Sequence, residues 1–239
     1  MANGALKWDQ AGERLYQTGD KNMALYVFNS TTKTIGSHTT NYYAGVAWNG
    51  ITAITESPSG AEPTDLWADD TKYATMRSAE QFGGTIEAYT YPDEWEACDG
   101  SITTNGVTVG QQARKAFGLS YRTLIGNEIK GNELGYKLHL LYNATAAPSE
   151  KSYNTVNDSP ETSPLSYELT TTPITAPGFK NTALITIDST KVDATHLKAL
   201  EDILYGVGEG QNVKARLPKP SEVFTTLGLT QGQDGTWSV

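Results

Sequence analysis

The sequence predicts a mainly β fold, sandwich or barrel-like, with one packed α-helix. Three observations predict it. Charged residues are only 19% of the 239-residue chain, and Thr, Ser, Gly, Asn and Tyr stand in their place, a mix that favours strands and turns over long amphipathic helices. Runs of β-formers recur along the chain, separated by Pro, Gly and Asx punctuation. A single segment carries a convincing helical apolar stripe, at 193–205. Hydrophobic residues, at 38%, suffice for a core.

Taken in order, 21–29 (KNMALYVFN) and 42–54 (YYAGVAWNGITAI) read as half-buried strands, the second with Val46, Trp48, Thr52 and Ile54 on one face. After Ile54 the pattern dissolves into ESPSGAEPTD, where Pro58, Gly60 and Pro63 break regular structure. Residues 66–68 and 72–76 then form a hairpin turning at Asp69-Asp70, and 83–91 (GGTIEAYTY) resumes as a strand. Between Glu56 and Arg77 the chain has little visible core of its own. A connection of that length is usually functional or bound to a partner.

A short helix follows Pro92, over 93–98, and stops at Gly100. Residues 136–142 (YKLHLLY) alternate Tyr136, Leu138, Leu140 and Tyr142 against Lys137, His139 and Leu141. A strand near 165–172 stands between Pro-rich loops, and 183–188 (ALITID) is another. The helix at 193–205 places Leu197, Leu200, Ile203 and Leu204 on one face and ends at Gly206. With no internal repeat and no separating linker, 1–239 reads as a single domain, with 228–239 as a C-terminal extension.

The charge is unevenly spread. Eleven carboxylates and two cations, Lys72 and Arg77, lie between Glu56 and Asp99, so this stretch carries the whole net charge of −9 while the remainder balances. It also holds Trp67, Tyr73, Phe82, Tyr89, Tyr91 and Trp95, rings that a disordered acidic tail would lack. It reads as a folded acidic surface. A pI near 4.8 without a basic patch makes a poor nucleic-acid binder. No apolar run reaches the roughly 20 residues that span a bilayer, and the start of the chain has no basic-then-apolar leader pattern, so a cytoplasmic site of synthesis is expected. The lone Cys98 agrees with a reducing compartment.

Catalytic and metal constellations are weak. His38, His139 and His196 lack ligands at metal spacing. Cys98 has Glu94, Glu96 and Asp99 for neighbours, like charge that quenches a thiolate. Asp93, Glu94 and Glu96 beside Trp95 resemble a glycosidase pair only superficially, since acids opening a helix complement its dipole. The chain is therefore expected to be no enzyme and to need no cofactor or metal.

Several blocks carry a family resemblance: WNGI at 48–51, TESPSGA at 55–61, LWAD at 66–69, SAEQFG at 78–83, TIEAYTYPDE at 85–94 and CDG at 98–100. Further blocks continue it, namely GQQARKAFG at 110–118, YR at 121–122, GYKLH at 135–139, PSEK at 148–151, NDSPE at 157–161, TTTP at 170–173, IDSTK at 187–191 and LP at 217–218. Together they resemble the major tail protein, or tail tube subunit, of long non-contractile tailed phages and prophages of Gram-positive bacteria.

That resemblance implies a β-sandwich subunit flanked by a helix. Six subunits would close into a ring whose inner sheets form a continuous barrel, and rings would stack into a tube through which genomic DNA leaves. It implies as partners further copies of the chain, a tape-measure protein, and tail terminator and tail-tip proteins, with no membrane, in a virion tail assembled in the host cytoplasm. Closing a sheet across subunits removes exposed edges, and head-to-tail stacking is a heterologous contact that propagates a filament. An acidic wall within a Debye length of about 8 Å discourages DNA from sticking.

Strand alternation makes Glu87 the first lumen-facing candidate and Glu80 the second. The long inter-subunit loop offers Glu56, Glu62, Asp65, Leu66, Trp67, Asp69, Asp70 and Tyr73 to a neighbouring copy. Two other classes compete: a tail-tip or cell-wall carbohydrate-binding module stacking sugars on Trp48, Trp67, Trp95 and the tyrosines, and a head or neck ring protein.

Overall fold

The computed structural model describes residues 6–28, 42–151, 155, 164–208, 214–232 and 236–238. His38 and the NDSPE block lie outside them. In chain order the strands are β1 (Leu15–Phe28), β2 (Tyr42–Ala47), β3 (Ile51–Glu56), β4 (Ser59–Gly60), β5 (Pro63–Ala68), β6 (Thr71–Arg77), β7 (Glu80–Gln81) and β8 (Gly83–Ala88). A 3-10 turn, Asp93–Trp95, leads into α1 (Glu96–Asp99). Then come β9 (Ile102–Thr104), β10 (Val107–Val109), β11 (Phe117–Asn127), β12 (Gly131–Ala146), β13 (Leu165–Thr171), β14 (Leu184–Asp188), α2 (Ala194–Tyr205), α3 (Pro220–Thr226), β15 (Thr230–Gln231) and β16 (Trp237–Ser238).

Eight strands form one antiparallel sheet in the order β2-β1-β11-β12-β13-β8-β3, with β14 also on β12. The two end strands, β2 and β3, are joined through Trp48, Asn49 and Gly50 alone. So short a link between opposite ends forces the sheet to roll up, and just before it the backbone N–H of Trp48 extends the β1–β2 ladder by donating to the Met23 carbonyl at 2.9 Å. The single strand expected over 42–54 is thus two strands. Gly50, at φ 78°, makes the break.

The roll encloses one core. Trp95 sits at its centre with no exposed surface, 4.6 Å from Trp48, 4.9 Å from Phe117 and 5.0 Å from Tyr167, centroid to centroid. Such tilted and edge-on pairs suit aromatic quadrupoles. Leu25, Leu119, Leu141, Ile86 and Leu169 complete it. A second core covers the outer face, where Ala24, Tyr26, Leu138, Leu140 and Tyr142 meet Leu197, Leu200, Leu204, Leu217 and Val223. Period-2 alternation on β1 and β12 therefore serves two cores. Asn143, at φ 49°, marks an irregularity in the β11–β12 register, after which Ala144 and Ala146 face the inner core that Leu138, Leu140 and Tyr142 turn away from.

The helix read at 193–205 forms as α2, capped by the Asp193 carboxylate, which accepts from the amides of Thr195 and His196. Tyr26 ties the layers: its hydroxyl donates to the Leu204 carbonyl at 2.8 Å and lies 3.1 Å from Ser120 Oγ. Contrary to the single packed helix expected, α3 also covers this core through Val223. The described part of 228–239 packs back as well, with Trp237 Nε1–H donating to the Pro177 carbonyl at 2.6 Å and its ring 5.1 Å from Phe224. No helix among the described residues is long and apolar enough to cross a membrane.

Candidate functional site: an exposed β-hairpin arm

The segment between β3 and β8 is a ladder where a loop was expected. Strands β3 and β8 pair, Ser57 N–H donates to the Gly83 carbonyl, β4 pairs with β7, and β5 pairs with β6. The whole is one interrupted hairpin arm. Its turn falls at Asp69-Asp70 as the sequence predicts, with both residues at positive φ, 49° and 58°. That pair of angles belongs to the turn whose twist matches a two-residue hairpin, and Asp tolerates it better than most residues.

Every residue of β5 and β6 is exposed except the half-buried Ala74. Trp67 is 68% exposed, Tyr73 78%, Met76 60% and Leu66 41%. Cross-strand pairing puts Thr64 and Leu66 beside Met76 and Ala74 on one face. The other face carries Asp65, held by Lys72 Nζ at 2.7 Å and by the Thr75 hydroxyl at 2.8 Å. These bonds hold the Asp65 carboxyl below its ordinary range. Among the described residues, none between 58 and 81 makes a side-chain hydrogen bond or ion pair outside the arm. A two-stranded hairpin alone is marginally stable in water, and bare aromatic and aliphatic side chains are a contact surface.

Glu56 stands apart from the other loop residues. It ends β3, and its carboxylate accepts from the Tyr121 hydroxyl at 2.7 Å and lies 3.3 Å from His139 Nδ1. Glu62 flanks the arm, fully in solvent. Glu80 lies on β7, exposed. Glu87 is half-buried with Thr85 on the face of β8 opposite Gly84, Ile86 and Ala88, and it lies between Ala53 of β3 and Ser166 of β13. Alternation thus sends Glu87 out of the inner core, as read from sequence.

The acidic stretch resolves into two populations. Asp99 pairs with Lys151 at 2.7 Å and Arg114 at 3.7 Å, Glu96 accepts from the Thr103 hydroxyl, and Glu56 and Asp65 are held as described. Glu62, Asp69, Asp70, Glu80, Glu87, Asp93 and Glu94 make no ion pair among the described residues. A second hairpin, β9–β10, turns at Asn105-Gly106 and bares Ile102, Val107 and Val109. Its Asn-Gly signal is plain in the sequence but was not part of the expected elements.

Burial foremost pushes the Cys98 thiol up to about 12, against the opposing pull of Lys115 and with a smaller push from Asp99, so the thiolate is suppressed chiefly by desolvation. Of the rings offered for sugar stacking, Trp48 and Trp95 are buried, whereas Trp67, Tyr73 and Tyr89 are exposed. Among the described residues no three His, Cys, Asp or Glu side chains converge to hold a metal. No protein-family model matches the chain, and no curated protein does.

Proposed function

We propose that the chain is the structural subunit of a non-contractile phage tail tube, forming hexameric rings that stack into a tube whose acidic lumen conducts DNA. The observation that carries this reading is the arm. It displays Leu66, Trp67, Tyr73 and Met76 to solvent with no body of its own to pack on. A neighbouring copy supplies the missing surface, and the arm's contact with a different patch on that copy propagates head to tail. The free carboxylates suit a wall that repels DNA, with Glu87 on the sheet as the first lumen residue and Glu80 as the second. A tape-measure protein and terminator and tip proteins are the further partners of such a tube, and the virion tail its place.

Electron microscopy of the purified protein tests this directly. Rings or tubes with an open channel are expected, and a Leu66→Asp/Met76→Asp double variant should stay folded and monomeric. A parent chain that stays monomeric at all concentrations overturns the reading. Closed rings that never stack would favour the head or neck ring protein instead.

A further inference from the structure

The arm meets the body through two anchors, one on each of its strands. On the returning strand Phe82 packs against the inner core and its carbonyl accepts from the Thr171 hydroxyl at 2.6 Å. On the outgoing strand the anchor is the Glu56 carboxylate. It lands on a platform built by β11 and β12, where Tyr121 and His139 are register partners with rings stacked at 4.7 Å and 2°. The platform is buried and already satisfied, since His139 Nε2 lies 3.0 Å from Thr123 Oγ1 and Nδ1 lies 3.3 Å from Thr186 Oγ1. Glu56 accepts from the Tyr121 hydroxyl at 2.7 Å and shares His139 Nδ1 with Thr186, at 3.3 Å.

We infer that Glu56, Tyr121 and His139 form a latch that fixes the direction in which the arm leaves the body. This rests on the reading that the arm docks on a neighbouring copy. Leverage makes the latch matter: from Glu56 to the turn is about a dozen residues, or up to about 40 Å of extended strand, so a root free to swing by about 10° would move the tip by about 7 Å. Fixing so mobile a tip on a docking surface would cost binding free energy that a preset arm avoids. Glu56 and His139 are positioning residues for the interface, which they do not themselves have to touch.

Proton uptake gives the latch a signature. His139 faces Tyr121 and Thr123 of β11, Thr186 of β14, Glu56 of β3 and Lys137 of its own strand. Burial, the largest influence, holds it below its ordinary 6.5 against the opposing pull of Glu56. Because the body buries His139 whether or not the latch is closed, closure adds chiefly the Glu56 carboxylate, which favours the protonated imidazole. Proton uptake by His139 therefore tightens the latch.

Spin labels at Asp70→Cys in the turn and Lys191→Cys on the body read the arm's direction in dilute monomer, because Cys98 is buried and stays unlabelled. A narrow distance distribution is expected for the parent. Glu56→Ala should broaden it at least twofold, Glu56→Gln should restore it by still accepting from Tyr121, and Tyr121→Phe, which keeps the ring stack, should broaden it without unfolding the body. Acidification from pH 7 to pH 5 should leave the parent narrow or narrow it further, and broadening on acidification would overturn the pairing of Glu56 with His139. An unchanged width in both Glu56→Ala and Tyr121→Phe, or a parent already broad at pH 7, overturns the latch. A narrow parent that never assembles keeps the latch and sinks the tube reading instead.

Discussion

Trp95 and Trp67 lie in the same acidic stretch, one with no exposed surface and the other 68% exposed. Around Trp95 the chain is rolled, and the side chains of five strands and a short helical turn enclose it. Around Trp67 two strands pair with each other and with nothing else. The difference is one of burial: the rolled sheet encloses its own apolar side chains, and the arm leaves its apolar side chains exposed. A fold can therefore be complete as a monomer while its most hydrophobic loop remains unpacked.

The largest test of that contrast is Trp95→Ala. Losing a ring that touches Trp48, Phe117 and Tyr167 should cost about 3–5 kcal/mol, read as a lowered denaturation midpoint with unchanged slope. Next is Tyr26→Phe, which leaves the Leu204 carbonyl without its donor between sheet and α2 and should cost about 1–3 kcal/mol. Lys151→Met removes one of two cations on Asp99 and should cost less than about 1 kcal/mol, an effect that shrinks further in salt. Smallest is Trp67→Ala, which should stay within about 0.5 kcal/mol in the monomer and, on the proposed tube function, should prevent the tubes expected by microscopy. If Trp67→Ala destabilised the monomer as much as Trp95→Ala does, the arm would be part of the body and the contrast would fail.

Much of this was legible locally. Alternation at 136–142 placed Leu138, Leu140 and Tyr142 together, Asp193 and Gly206 bounded α2, and Asp69-Asp70 marked the arm's turn. The strand β11 went unread although Phe117, Leu119 and Tyr121 alternate toward the inner core. Helix α3 is too short for periodicity to speak, its signal being Pro220 in the first turn. Of the candidate residues, Leu66, Trp67, Asp69, Asp70 and Tyr73 fall on the exposed arm, whereas Glu56 proves to be its root.

By itself the sequence determined where strands, the longer helix and turns form, because period, caps and positive-φ turn residues act within a few positions. It also determined that acid gathers in one stretch. Only the tertiary structure decided that β2 and β3 meet across a rolled sheet, that Asn143 exchanges one core for the other, and that Glu56 reaches residues 65 and 83 positions away. Those are pairings between distant segments, and no local pattern encodes a partner it does not touch until the chain closes.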